Sequence, residues 1–240
     1  MNARRQKLLM RNYLDAKKEG LEWGYDITLV DKKNIEHYYI LLKPTKGIYR
    51  NQTHVLELKT SYGTQSSPYI YPMQKPDIKF LTKIYHTNVS SQGTICVDML
   101  TNPKQWMPTY SFHQVLLNIM LLYEEQNPAS PYNSQAGSMY ANAEKKYQQG
   151  RKQFTGDDLD AFRNECFDEM RIKSELHATN DLTKFAKWFP QLAGGQDQHE
   201  EELAKLQVLC ANMKIGKKER KHTDKKKKRF AKFKKKPVKE

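Results

Sequence analysis

Over residues 5–18, Leu8, Leu9, Tyr13 and Leu14 recur on one helical face, with Arg4, Arg5, Lys7, Arg11, Lys17 and Lys18 on the other. This pattern predicts a first helix with Gly20 as its stop. Three short runs rich in β-branched and aromatic residues follow, Tyr25 to Val30, Glu36 to Leu42 and Thr53 to Lys59. Turn clusters at 32–34 and 43–47 separate them, which predicts an antiparallel meander. Lys59 to Ser67 reads as a loose loop, with Ser61, Gly63, Ser66 and Ser67. Pro68, Pro72 and Pro76 remove backbone donors and forbid a helix around Tyr69 and Tyr71. Asp77 to Leu81 is a further strand.

Helical spacing returns at Ser111 to Glu124, carried by Val115, Leu116, Ile119, Met120 and Leu122 and ended by Asn127-Pro128. A second such helix covers Ser134 to Gln149. Beyond Gly150, Asp157-Asp158 suits the start of a helix that runs to about Leu176. Leu182, Phe185, Trp188 and Phe189 form an aromatic cluster, Gly194-Gly195 breaks the chain, and Glu200 to Met213 fits a last helix. The organisation is a core over 1–150, a helical extension over 151–213 and a tail over 214–240.

Composition changes the picture mainly in the tail. Residues 214–240 hold 15 of the 41 Lys and Arg against 3 of the 27 acids, so the tail supplies +12 of a net charge of +14. Its like charges repel and its large apolar residues are few, so disorder is expected. Lys225 to Arg229 suits nuclear import or contact with a polyanion such as nucleic acid or an anionic membrane, in preference to a merely solubilising tail. The chain is placed in the nucleus, the cytoplasm or both. Three widely spaced cysteines, Cys96, Cys166 and Cys210, match neither a disulfide framework nor a zinc pattern, so no metal is expected. The longest apolar runs fall far short of the ~20 residues that a membrane span needs, and the basic start lacks the apolar run of a signal peptide.

The chemistry concentrates in Ile84 to Leu100. There Tyr85-His86-Thr87-Asn88 is followed by Gly93-Thr94-Ile95-Cys96-Val97-Asp98, and Cys96 stands eight residues after Asn88. This segment resembles the active site of the ubiquitin-conjugating enzymes, with their His-Pro-Asn triplet and Gly-x-Ile-Cys-Leu-Asp run. The same chain order continues in Tyr71-Pro72 with Pro76, in Trp106-x-Pro108, in the Val115 to Ile119 helix and in Asn127-Pro128-x-x-Pro131.

The resemblance covers residues ~5–150 and implies an α+β fold with an N-terminal helix, a four-stranded antiparallel meander and C-terminal helices. It makes Cys96 the acceptor of ubiquitin, or of a ubiquitin-like protein, as a thioester delivered by an activating enzyme. A substrate lysine then attacks that carbonyl. Asn88 is implied as donor to the resulting oxyanion, or as a residue that orders the local loop. Asp98 and Ser130 match positions beside the incoming amine, and Tyr85 would help to desolvate it. His86 is implied to be structural rather than a base. Arg4, Arg5, Met73 and Pro108 match contacts with ubiquitin ligases or the activating enzyme, and Leu117 matches a contact with the carried ubiquitin. No cofactor is expected in this chain, because ATP is used upstream.

Two rivals remain at this level. A Cys–His hydrolase would need His86, His54 or His113 beside Cys96, and a degenerate adaptor would bind ubiquitin only non-covalently. Cys166 and Cys210 read as packing residues. Departures from the family pattern are Thr87 in place of proline, Arg50-Asn51-Gln52 in place of a glycine pair, and longer connections at 59–67 and 101–105.

Overall fold

The computed structural model describes residues 3–64 and 67–193. The expected helix at 200–213 with Cys210, and the basic tail, lie outside these residues. Helix α1 spans Ala3–Trp23, longer than the pattern predicts at both ends. Gly20 does not stop it. The chain turns back so closely that a Cβ on Gly20 would lie 2.3 Å from the Tyr25 carbonyl oxygen, which is why that helical position is bare. The stop is Gly24, whose φ of +78° admits glycine readily and most other residues poorly.

Strands β1 (Tyr25–Asp31), β2 (Asn34–Leu42), β3 (His54–Lys59) and β6 (Asp77–Phe80) form one antiparallel sheet in the order β1-β2-β3-β6. Between β3 and β6 the expected loose loop is instead a separate hairpin, β4 (Ser61–Thr64) with β5 (Ser67–Ile70). Tyr62 and Tyr69 face each other in its register and stack at 5.0 Å, a cross-strand aromatic pair that offsets the weak strand preference of serine, glycine and proline around them.

One face of the sheet packs on α1 and on α3 (Phe112–Leu122), with Leu9, Tyr13, Ile40, Leu56, Phe112 and Leu116 buried between them. Ser111 caps α3 with a capping box closed by Gln114, which fixes where that helix begins. Two charges expected on the solvent face of α1 point inward. Lys17 is 1% exposed and pairs with Asp26 at 2.8 Å, because its stem packs in the core while a carboxylate waits at the tip. Arg5 donates to the Tyr71 and Thr60 carbonyls, each at 3.0 Å, and pairs with Glu36, which ties the helix to the turn at Tyr71-Pro72.

The other face of the sheet is covered by the last described part of the chain, from Leu182 to Leu192. Helix α4 (Ser134–Gly150) is followed by α5 (Gly156–Leu182), which outruns the predicted end near Leu176. Tyr140 and Phe167 join the two helices at 5.2 Å, and Phe167 and Met170 belong to the main core. Beyond α5, two short 3-10 turns carry Phe185, Trp188 and Phe189 onto Leu41, Val55 and Tyr39 of the outer face. The Trp188 indole donates to the Val30 carbonyl at 3.0 Å and Gln191 donates to Asp26 at 3.0 Å, so polar contacts fix the register of that cover.

Candidate active site

The segment 84–100 is a tight irregular clip on the edge of β6. Phe80 donates its N–H to the Gly93 carbonyl, Ser90 and Gly93 close a turn, and Val89 bridges Ile95. The Cys96 N–H donates to the Asn88 carbonyl at 2.8 Å, so the two residues sit on opposite arms of the clip. Cys96 is partly exposed. Two residues on, the short helix α2 (Asp98–Thr101) begins with Asp98 exposed in its first turn.

His86 is buried, and hydrogen bonds occupy both ring nitrogens. Nε2 donates to the Leu122 carbonyl at 2.8 Å and Nδ1 accepts from the Asn88 N–H at 2.9 Å, which selects one neutral tautomer. Burial pushes its pKa down to about 4, opposed in part by the Leu122 bond. His54 is fully buried among Phe80 and Tyr123 with no hydrogen-bond partner on either nitrogen, and burial pushes it to about 3. His113 is bonded to the Tyr25 hydroxyl at 2.7 Å. All three histidines that a hydrolase would need are therefore committed away from Cys96.

Asn88 is 2% exposed and its carboxamide bonds the Asn127 backbone twice, with one Nδ2 hydrogen left over. Oδ1 accepts the Asn127 N–H at 2.8 Å and Nδ2 donates to the Asn127 carbonyl at 3.0 Å. The amide thus pins the start of the 127–133 loop. Thr87 holds the other end, because its carbonyl accepts from both Tyr132 N–H and Asn133 N–H. Asn133 then caps α4 by accepting from the Ala136 N–H at 3.1 Å. The loop's exposed crown carries Ser130.

Tyr132 was not among the sequence-derived candidates. It is exposed, and it lines an open cleft together with Thr94, Ile95, Leu100 and Thr101. Burial, then the Cys96 thiol, raises the phenol above its ordinary range. The one sequence signal for it is an aromatic residue directly after Pro131.

The other candidates fall in three places. Met73 is 73% exposed and Pro108 is exposed, and the Trp106 indole donates to the Pro72 carbonyl at 2.9 Å, so the two loops share one surface. Arg4 is exposed, whereas Arg5 is not presented to a partner, because its guanidinium is spent inside the fold. Leu117 is 8% exposed, which leaves only its edge for a partner. Tyr85 is half-buried, with the Lys173 ammonium of α5 over its ring at 5.2 Å. Cys166 packs against the core, and burial raises its thiol pKa. Among the described residues, no group of His, Cys, Asp and Glu is arranged to hold a metal, and no helix is long and apolar enough to cross a membrane.

Residues 8–155 match the model of a family described as ubiquitin-conjugating enzyme. The chain is 41% identical over 78 residues to ubiquitin-conjugating enzyme E2 1 of Caenorhabditis elegans, covering 32% of this chain and 40% of that protein. It is 42% identical over 77 residues to ubiquitin-conjugating enzyme E2 2 of Mycosarcoma maydis, with coverages of 32% and 40%. The matched stretch thus spans well under half the length of these relatives. In three dimensions the chain resembles the E2 domain of a Toxoplasma gondii ubiquitin conjugating enzyme, at a TM-score of 0.51 and 22% identity, over 72% of this chain and 99% of that one. At that identity the likeness speaks to the fold alone.

Proposed function

The chain belongs to the ubiquitin-conjugating enzyme family, and from that premise we propose that Cys96 accepts the C-terminus of ubiquitin, or of a ubiquitin-like protein, as a thioester and passes it to substrate lysines. The observation that carries the proposal is a partly exposed thiol on a rigid clip, with His86 and His113 hydrogen-bonded to other groups and His54 buried in the core. A thiolate attacks an activated carbonyl readily and leaves readily, which is what a carrier needs. A hydrolytic base there would waste the thioester.

In this proposal Asn88 orders the 127–133 loop. Asp98 and Ser130, both exposed, supply polar groups on the rim of the site. The surface of Met73 and Pro108, with Arg4 on α1, receives a ubiquitin ligase or the activating enzyme, and ATP is used by the activating enzyme rather than here. The basic tail serves nuclear import or polyanion contact, with the nucleus, the cytoplasm or both as the place of action.

The test is a mixture of activating enzyme, ATP, ubiquitin and the full chain, run on a non-reducing gel. A heavier band that reductant removes is expected, and Cys96→Ser should leave at most a reductant-resistant ester. No adduct with any of several ubiquitin-like proteins would refute the proposal.

A further inference from the structure

Thr87 stands where the family pattern has proline, so no pyrrolidine fixes its φ and its buried N–H needs a partner. Gln126 is that partner, and its other contacts reach beyond Thr87. We propose that Gln126 is a positioning residue for transfer from Cys96: through the Thr87 backbone it holds Asn88 and the 127–133 loop in their working arrangement. This role rests on the transfer reading above.

Two short stretches of chain are cross-linked reciprocally. The Gln126 side chain accepts from the Thr87 N–H at 2.9 Å. The Asn88 side chain bonds the Asn127 N–H at 2.8 Å and the Asn127 carbonyl at 3.0 Å. Each pair of neighbours lends one carboxamide to the backbone of the other, so the two rungs and the two peptide links close a ring. Removing the Gln126 rung opens it.

That rung is itself braced. Gln126 is 9% exposed, and its Nε2 donates to the Tyr49 hydroxyl at 3.0 Å. The hydroxyl spends its own hydrogen on the Tyr85 carbonyl at 2.7 Å, so toward Gln126 it can only accept. Tyr49 is fully buried and stacks on His86 at 5.6 Å. One side chain therefore grips the backbone on both sides of His86, at Thr87 directly and at Tyr85 through Tyr49.

From the ring, hydrogen bonds lead to the reacting residue and to the rim of the site. The Asn88 carbonyl accepts from the Cys96 N–H at 2.8 Å. The Thr87 carbonyl accepts from the Tyr132 N–H at 2.9 Å and the Asn133 N–H at 3.1 Å. Asn88 Nδ2 keeps one hydrogen beyond its bond to Asn127. A donor fixed beforehand costs no reorganisation as charge develops on the acyl oxygen, and Gln126 does the fixing without touching substrate.

The step balances without a further reagent. The lysine nitrogen bonds to the thioester carbon while the carbonyl pair moves onto oxygen. The pair returns, the C–S bond breaks, and Cys96 leaves as thiolate, which takes the proton lost from nitrogen. Gln126 exchanges no proton.

The experiment separates discharge from loading and from stability. Full-length wild type, Gln126→Leu, Gln126→Asn, the Gln126→Leu/Thr87→Pro double variant and Phe189→Ala are charged to completion with excess activating enzyme, ATP and ubiquitin. The temperature is one at which circular dichroism shows them folded. The activating enzyme is quenched, and thioester decay is followed at several concentrations of free lysine. Gln126→Leu should discharge roughly tenfold more slowly, by the same factor at each concentration, because aim is lost and lysine binding is not. Gln126→Asn, one methylene too short to span Thr87 and Tyr49, should slow likewise, and it carries the test if the leucine variant does not fold. Adding Thr87→Pro to Gln126→Leu should restore most of the rate, since proline fixes φ and leaves no N–H to hold. Phe189→Ala, a destabilising change on the outer face of the sheet, should discharge like wild type. Wild-type rates in the Gln126 variants, no rescue by proline, or an equal loss in Phe189→Ala would overturn the proposal alone. A wild type that never loads would overturn the transfer reading and this proposal together.

Discussion

The backbone N–H of Thr87 donates to the Gln126 side-chain oxygen at 2.9 Å, deep in the protein beside Asn88. Proline, which the family pattern places at this position, has no such hydrogen to satisfy. Gln126 completes the arrangement by donating through Nε2 to the Tyr49 hydroxyl at 3.0 Å, and that hydroxyl donates to the Tyr85 carbonyl at 2.7 Å. The departure at residue 87 and the amide at residue 126 therefore form one unit.

Gln126→Leu should strand the Thr87 N–H and destabilise the protein by about 1–3 kcal/mol. Thr87→Pro alone strands the Gln126 oxygen. The two together should cost clearly less than the sum of the singles, because neither orphan then remains. Urea unfolding of the four proteins measures this, and strict additivity would show that the bond carries no weight.

Acid should weaken the fold earlier than a carboxylate-limited protein would allow. Folded His86 and His54 titrate at about 4 and about 3, against 6.5 in an exposed chain. Below 6.5 the unfolded chain binds protons that the native state refuses. Stability is thus complete above that value and falls as pH drops toward 4, by up to about 1.4 kcal/mol per pH unit for each histidine. Denaturation midpoints at pH 7.5, 6 and 5 test this, and a flat series would exclude two neutral buried imidazoles. Protonation of His86 at Nδ1 would also break its bond from Asn88, so reactivity of the thiol should change over the same acid range.

Asn88→Ala should cost about 1–3 kcal/mol, since it leaves the Asn127 N–H and carbonyl without their partner. It should also slow transfer to lysine, through a loosened 127–133 loop. Hydrogen exchange at the Asn127 and Tyr132 amides should rise together. Full transfer with unchanged exchange would mean the carboxamide is dispensable as a pin.

Phe189→Ala should destabilise by roughly 3–5 kcal/mol, the usual range for a fully buried phenylalanine, because it opens the layer over Leu41 and Val55. Trp188 fluorescence follows the loss directly. If the variant melts like wild type, the 183–193 segment is not part of the folded body.

The family resemblance around Cys96 was legible because its signal is local. Gly93, Cys96 and Asn88 lie within one short clip, and their spacing survives without knowledge of the fold. The meander and the helices over 111–150 were legible for the same reason, in their apolar spacing. Lys17 and Arg5 were misread because a charge on a helix looks solvated until its distant partners, Asp26 and the Tyr71 carbonyl, are placed. The hairpin at 61–70 was missed because one tyrosine pair outweighs several weak strand formers, and only pairing brings them together. The pinning of the 127–133 loop was invisible because Thr87 and Asn88 reach it across 39 or more residues of chain.

The layering of the sheet also sets an order of events during synthesis. Val55 leaves the ribosome 134 residues before Phe189, which will cover it. Until then the meander has one bare oily side, vulnerable to sticking to other nascent chains. Final closure therefore waits until Phe189 has emerged, and stalling anywhere between the two would hold the newborn polypeptide in an aggregation-prone form.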